Sequence, residues 1–203
     1  MRIILGSGSS RRREILESLG LSLTVITPDV DESRHVDEPP ESYVLRILSE
    51  KNFFIAEKTH YYGSRLLITA DTIVTIDGLI LGKPVSRDDA FSMLTGLSGR
   101  THCVITGLSL TVVNNGAPEI HTALEHTMVT FKKLDDRAIG RYLDATEYMD
   151  KAGAYAIQQN GDMIVQTVAG SITNVIGFPL RLFYSMLIKS GLEHILTPLC
   201  GLK

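Results

Sequence analysis

The sequence predicts an α/β protein built on a mixed sheet, and three features point there. Two pairs of β-prone segments are joined by turn signals: residues 66–76 pass through Asp77-Gly78 into Leu79-Ile80-Leu81, and residues 103–113 pass through Asn114-Asn115-Gly116 into residues 119–131. Helical periodicity intervenes, most extensively over residues 41–59. The hairpins break the strict strand–helix alternation that a wholly parallel sheet requires. With 203 residues, 44% of them hydrophobic, the chain can bury a sizeable core. Length alone allows one domain or two small lobes, but no repeat or low-complexity linker divides the chain, so residues 1–203 are read as one domain.

In chain order, residues 2–7 read as a short buried strand running into Gly6-Ser7-Gly8-Ser9-Ser10. A helix follows, with Ile15, Leu16 and Leu19 on one face and Gly20 as its stop. Residues 21–27 alternate apolar and polar side chains, as a half-buried strand does. Residues 28–40 are an acid- and proline-rich loop. Over 41–59, Val44, Leu45, Ile47, Leu48, Phe54 and Ile55 recur at helical spacing. After the first hairpin, Ser86 caps a helix with Asp88 and Asp89 in its first turn, where the helix dipole favours acids. The second hairpin leads to a short helix over 135–143. A closing helix spans 180–190, begun by Pro179 and ended before Gly191.

The bulk numbers exclude several function classes. A net charge of −3 gives no global field for nucleic acid, although a local basic cluster still suits one small polyanion. Cys103 and Cys200 form no C-x-x-C pair and suggest neither zinc nor a disulfide framework; two reduced thiols are expected. The apolar run at the N-terminus is too short for a signal h-region or a membrane span, so a soluble, cytoplasmic protein is expected.

Chemistry first shows at residues 6–13. A strand enters a Gly/Ser turn and then a helix that opens with Arg11, Arg12 and Arg13. Cations there oppose the positive end of the helix dipole, so stability alone would favour acids. The arrangement suits a multiply charged anion, because backbone N–H groups at a helix start already bind one; the plainer reading is a solvated basic patch. A Walker A loop is absent, since Gly82-Lys83 is followed by Pro84, and a Rossmann fingerprint would need Gly or Ala at Arg11.

Asp71 lies inside the apolar stretch 66–76. A carboxylate in a core strand is costly unless it is paired, metal-bound or protonated. The alternatives are a functional acid or a strand-end Asp satisfied at the surface. Glu32 in the acidic loop, Lys51 and Lys83 are each unremarkable surface charges when taken singly. With Asp71 they supply acids for a metal, cations for phosphate oxygens and a base for water. In residues 150–158, small side chains allow close backbone approach. Gln158 carries the donor and acceptor that match O4 and N3–H of a uracil or thymine ring, unless it is simply a surface residue on a packing loop. All six histidines read as structural or surface residues.

Together these segments resemble the Maf family, the septum-formation-inhibitor-like nucleotide pyrophosphatases. The resemblance runs through residues 5–12, Asp31-Glu32, Glu50-Lys51, residues 70–74, Gly82-Lys83-Pro84, residues 97–102, residues 150–158 and residues 174–180. It implies an inosine-triphosphatase-like fold: a long, twisted mixed sheet flanked by helices, with two lobes around a central cleft. It also implies Mg²⁺- or Mn²⁺-dependent hydrolysis of a nucleoside triphosphate between its α- and β-phosphates, and a homodimer. By position, Asp71 takes the proton-acceptor role. Ser7, Arg11, Arg12, Lys51 and Lys83 fall where the family contacts phosphates, and Glu32 falls at a position linked to metal or substrate, so Asp71 and Glu32 are the expected metal ligands. Arg11, Thr72 and Gln158 are similar to the branch that acts on dTTP and UTP. A second branch, carrying Asp-Gln in place of Asp-Thr, acts on 7-methyl-GTP. The chain departs from the usual family pattern at Gly6 (often Ala), Ser10 (usually Pro) and Gln159-Asn160 (usually a Gly-rich continuation). A non-catalytic nucleotide or nucleic-acid binder regulating septum formation, and a nucleotidyltransferase, are the competing classes.

Overall fold

A computed structural model describes residues 1–59, 63–114 and 117–196. Its centre is a seven-stranded mixed sheet. The strands are β1 (Arg2–Gly6), β2 (Leu23–Val25), β3 (Arg65–Ile76), β4 (Leu79–Leu81), β5 (Thr101–Val113), β6 (Glu119–Phe131) and β7 (Val165–Ala169). Their order is β2-β1-β3-β5-β6-β7, with β4 also on β3. β1 runs parallel to β2 and β3, while the pairings of β3 with β4 and β5, and of β6 with β5 and β7, are antiparallel. The helices are α1 (Ser10–Ser18), α2 (Pro40–Thr59), α3 (Arg87–Leu97), α4 (Asp136–Ala145), α5 (Gly161–Ile164), α6 (Ile172–Ile176) and α7 (Leu180–Lys189), with a 3₁₀ turn at Ala152–Ala154.

The period-two alternation of β3 distributes its side chains between helices on the two faces. Leu66, Ile68 and Ala70 join Leu16 of α1 and Phe183 and Leu187 of α7 in one buried core. Further along the same face, Val74 and Ile76 join Leu94 of α3 and Ile139 and Tyr142 of α4 in a second. Thr72 falls between these cores. On the opposite face Leu67 meets Ile55 of α2, and Ile73 packs with Val44, Ile47 and Leu48 of the same helix.

Pairing along β3 is uneven. One edge is zipped to β5 from Arg65 to Thr75. The other pairs with β1 only through Thr69, then with β4 only from Val74. The backbone of residues 70–73 is therefore free of strand partners on that edge, and a cleft opens beside it.

The structure matches the expected strands and long helices but trims and adds elements. The strand expected over 21–27 pairs only at Leu23–Val25. The turn between β3 and β4 forms as expected, with Asp77 and Gly78 both in the left-handed region that favours this hairpin. Elements β7, α5, α6 and the 3₁₀ turn were not expected; each is five residues or fewer, too short to display a period. Asn115, Gly116 and Cys200 lie outside the described residues.

Candidate active site

The three arginines at the start of α1 have three different surroundings. Ser9 caps the helix, its side chain accepting from the Arg12 N–H. Arg13 points outward and pairs with Glu17 one turn on. Arg11 is partly exposed, with Nη1 3.4 Å from Asp150 Oδ2. Arg12 is buried. Its Nε donates to Gly177 O at 2.9 Å, its Nη1 to Ala70 O at 2.8 Å and Ser7 Oγ at 3.0 Å, and its Nη2 to Thr72 Oγ1 at 3.0 Å. Four of the five N–H donors of a guanidinium are thus engaged by protein. One of those acceptors, Ala70 O, belongs to the stretch of β3 that lacks a strand partner. Burial lowers the Arg12 pKa and Asp71 opposes that effect; a guanidinium stays charged at any physiological pH.

Asp71 is the buried carboxylate anticipated inside an apolar strand, and its compensation is Lys51. From α2, Lys51 Nζ lies 2.7 Å from Asp71 Oδ1 and 2.8 Å from Glu32 Oε1. Two carboxylates from distant parts of the chain thus converge on one ammonium. Burial pushes Glu32 upward, but the hydrogen bond and charge of Lys51, helped by Lys83 and Arg12, outweigh it and hold the carboxyl below its ordinary range. The nearby Tyr43 hydroxyl is pushed up to about 12 by burial and by the negative charge of Asp71 and Glu32. Its O–H donates to Glu32 O at 2.9 Å and fixes the acidic loop from the backbone side.

The far wall comes from residues 82–83 and 150–158. Gly153 donates its N–H to Gly82 O at 3.0 Å. The approach needs glycine twice over: φ is +68°, and a Cβ would lie 3.1 Å from a Val74 methyl. Asp150 pairs with both Lys151 and Arg11. Behind this wall the Tyr155 hydroxyl and His102 Nε2 stand 2.9 Å apart.

These walls enclose a cavity of about 660 Å³. All nine residues singled out from the sequence line it: Ser7, Arg11 and Arg12 at the start of α1, Glu32 from the loop, Lys51 from α2, Asp71 and Thr72 from β3, Lys83 after β4, and Gln158. The sequence reading missed Tyr43, which also lines it; it singled out residues 150–158 but gave Asp150 and Lys151, which line it too, no role of their own. It missed Arg46 as well, which braces the loop bearing Glu32. A tyrosine or arginine on an amphipathic helix carries no signal that separates bracing from ordinary surface packing.

The cavity, its cationic side chains and its buried carboxylate have the chemistry that suits a small polyanion. A family model for Maf-like proteins matches residues 2–190. The chain belongs to the Maf family. Among relatives, a protein of Nitratidesulfovibrio vulgaris named dTTP/UTP pyrophosphatase is 40% identical over 97% of this chain and 91% of its own. A protein of the same name from Thermoanaerobacter sp. is 42% identical over 92% and 95%. Among solved structures, the Staphylococcus aureus Ham1 protein aligns over 94% of this chain and all of its own, with 12% identity and a TM-score of 0.46.

This Maf chain accommodates its departures from the family pattern. At Gly6 an added Cβ would lie 2.7 Å from Thr69 Cγ2 and 3.2 Å from Ile55, so the smaller residue fits its own neighbours. Ser10 is the first residue of α1, a position that does not require proline. Asn160 adopts φ 55°, a conformation in which asparagine is the usual substitute for glycine.

Among the described residues, no group of three or more His, Cys, Asp or Glu forms a metal cage. The donor set nonetheless fits a hard divalent ion, because Mg²⁺ is commonly held by one or two carboxylates together with substrate phosphates. Asp71 and Glu32 already converge on one positive charge, that of Lys51.

Proposed function

We propose that this chain hydrolyses dTTP and UTP to the monophosphate and pyrophosphate. The observation that carries the reading is the Lys51 ammonium held between Asp71 and Glu32 in one cavity with Arg11, Lys83 and Ser7. The two relatives above are named for this activity.

Arg11, Lys51 and Lys83 neutralise phosphate oxygens, and Ser7 donates a hydrogen bond to one of them. Asp71 accepts a proton from the attacking water and orients it toward the α-phosphorus, so that pyrophosphate leaves against the cationic rim. Asp71 and Glu32 would hold a divalent cation, Mg²⁺ or Mn²⁺, which when bound supplies Lewis-acid stabilisation of the phosphate oxygens. Gln158 offers an amide donor and acceptor to the base. The reading takes residues 1–203 as one unit acting in the cytoplasm on a small molecule; the net charge of −3 argues against nucleic acid as the substrate. No described helix is long and apolar enough to cross a membrane. A homodimer is carried by the family resemblance alone.

The test is phosphate release from a panel of canonical and modified triphosphates, with added pyrophosphatase, under each metal in turn. Turnover of dTTP and UTP to monophosphate without an acceptor is expected. Release from no nucleotide would favour a binder, and a requirement for a second acceptor would favour a nucleotidyltransferase.

A further inference from the structure

Two linked hydroxyls, Thr106 and Thr72, lie in the sheet beside the cavity, and one arrangement of their protons satisfies both inside the protein. Thr106, on β5, is fully buried. Its hydroxyl donates to the backbone carbonyl of Asn174 at 3.1 Å; a carbonyl only accepts, so the single Thr106 proton is committed there. Thr106 Oγ1 also lies 2.9 Å from Thr72 Oγ1. With the Thr106 proton directed to Asn174, Thr72 is the donor in that pair, and both hydroxyl protons are used inside the protein; the reverse arrangement would leave the Thr72 proton to the cavity. Thr72 Oγ1 in turn accepts from Arg12 Nη2 at 3.0 Å. Its proton and one lone pair are therefore spent inside the protein, and a hydroxyl has one lone pair left. Thr72 is half-buried and lines the cavity, so a ligand meets it as an acceptor only.

The neighbouring hydroxyl has the opposite sense. Ser7 Oγ accepts from Arg12 Nη1 at 3.0 Å and from the Ser9 N–H at 3.3 Å. Both of its lone pairs are used, which leaves its proton for a ligand. One buried guanidinium thus sets two cavity hydroxyls apart: Ser7 as a donor suited to an anionic oxygen, and Thr72 as an acceptor suited to an N–H.

We propose that Thr106 is a specificity-positioning residue, which by taking the Thr72 proton makes the cavity favour a nucleobase that presents an N–H to Thr72 over one that presents a lone pair. This rests on the triphosphatase reading above. A uracil or thymine ring carries a proton on N3, which goes to Thr72 while the Gln158 amide N–H donates to O4, whereas cytosine offers a lone pair at N3. Against a fixed acceptor the second arrangement sets two lone pairs against each other and leaves both unpaired, which is the stronger kind of discrimination.

The experiment compares kcat/KM for UTP and CTP in the full chain and in Thr106→Val, Thr106→Ser and Thr72→Val. Valine keeps the shape of threonine and removes its hydroxyl. The Asn174 carbonyl is not orphaned, because it still accepts from the Gly177 N–H at 2.9 Å. Thr106→Val frees the Thr72 proton to turn toward the ligand, so the preference for UTP over CTP should shrink about fivefold. Thr106→Ser should restore it. In a Thr72→Val background, Thr106→Val should leave the ratio unchanged, since nothing remains to be oriented. A purely structural role would lower both nucleotides together, so an unchanged UTP-to-CTP ratio in Thr106→Val overturns the proposal. If the valine variant does not fold, Thr106→Ala makes the same comparison. Absence of turnover by the unaltered chain would instead refute the triphosphatase reading itself.

Discussion

Arg46 grips both carboxylate oxygens of Glu38, with Nε 2.7 Å from Oε1 and Nη2 2.9 Å from Oε2. The same guanidinium also donates to Ser33 O at 2.8 Å and to Glu50. It therefore straps the acidic loop, and Glu32 within it, onto α2. Hydrogen bonds to Arg46 draw Glu38 down to about 2 despite its desolvation. A carboxyl lowered from 4.5 to about 2 stabilises the fold fully above pH 4.5 and loses that contribution as the pH falls toward 2. Arg46→Met should flatten the pH dependence of the melting temperature within that window. It should also reduce turnover near neutral pH several-fold, by loosening Glu32. Equal acid sensitivity in the variant and the parent, followed by thermal melts, would contradict the strap.

Asp71→Asn should remove at least 100-fold of the turnover, because it deletes the group that takes the proton from water. Folding should survive. Lys51 keeps Glu32 as a counter-ion at 2.8 Å, so its ammonium is not left buried and unpaired. Phosphate release and far-UV circular dichroism on the same preparation separate the two effects.

His102 gives a second, higher acid window. It is buried, and desolvation takes it from 6.5 to about 4. A base whose folded pKa is depressed is protonated first in the unfolded chain. Stability should therefore be full above pH 6.5 and fall by about 3 kcal/mol as the pH drops to 4. Denaturant titrations of His102→Gln should show a smaller slope over that interval. A slope equal to that of the parent would mean that His102 already titrates normally in the fold.

Gln158→Ala should lower kcat/KM for UTP about tenfold, with less effect on a guanine triphosphate, whose larger ring sets its own carbonyl and N–H edge at a different distance from the sugar. Steady-state kinetics with both nucleotides provide the check. An unchanged preference would remove Gln158 from base reading.

Gly6→Ala should destabilise the fold by about 1–3 kcal/mol, because the new methyl would stand 2.7 Å from Thr69 Cγ2 in a close-packed layer. Thr69→Ser deletes that methyl and keeps the hydroxyl that bonds Asn52 Oδ1 at 2.7 Å. The double variant should recover most of the loss. Urea midpoints of the two single variants and the double variant test this, and additive effects would argue against direct contact.

Much of the site was legible because its chemistry contradicts its setting. Asp71 in an apolar strand and arginines at a helix start are both costly, and cost points to use. Lys51 and Glu32 carried no such mark; each is an ordinary charge when taken singly, and they gained meaning only when grouped with Asp71 and through the family resemblance. Arg12 shows the opposite limit. Its position suggested a phosphate contact, yet most of its donors are engaged by Ser7, Ala70, Thr72 and Gly177, partners up to 165 residues away. No local pattern encodes bonds of that separation. The long strands of the sheet were legible from alternation and turn residues. β7 was not: three of its five residues are exposed and its sequence is mostly polar or small, so it declares itself only by pairing with β6.

The interrupted edge of β3 bears on how the enzyme should come apart. Asp71 sits on a strand whose other edge is laced to β5, directly opposite Gly107. Glu32, by contrast, hangs from a loop held by a few side-chain bonds. Mild heating should thus release the acidic loop while the amide protons of β3 still resist exchange with deuterium. Loss of catalysis would then precede loss of the scaffold, and a partly inactivated sample should regain activity on cooling without refolding from the beginning.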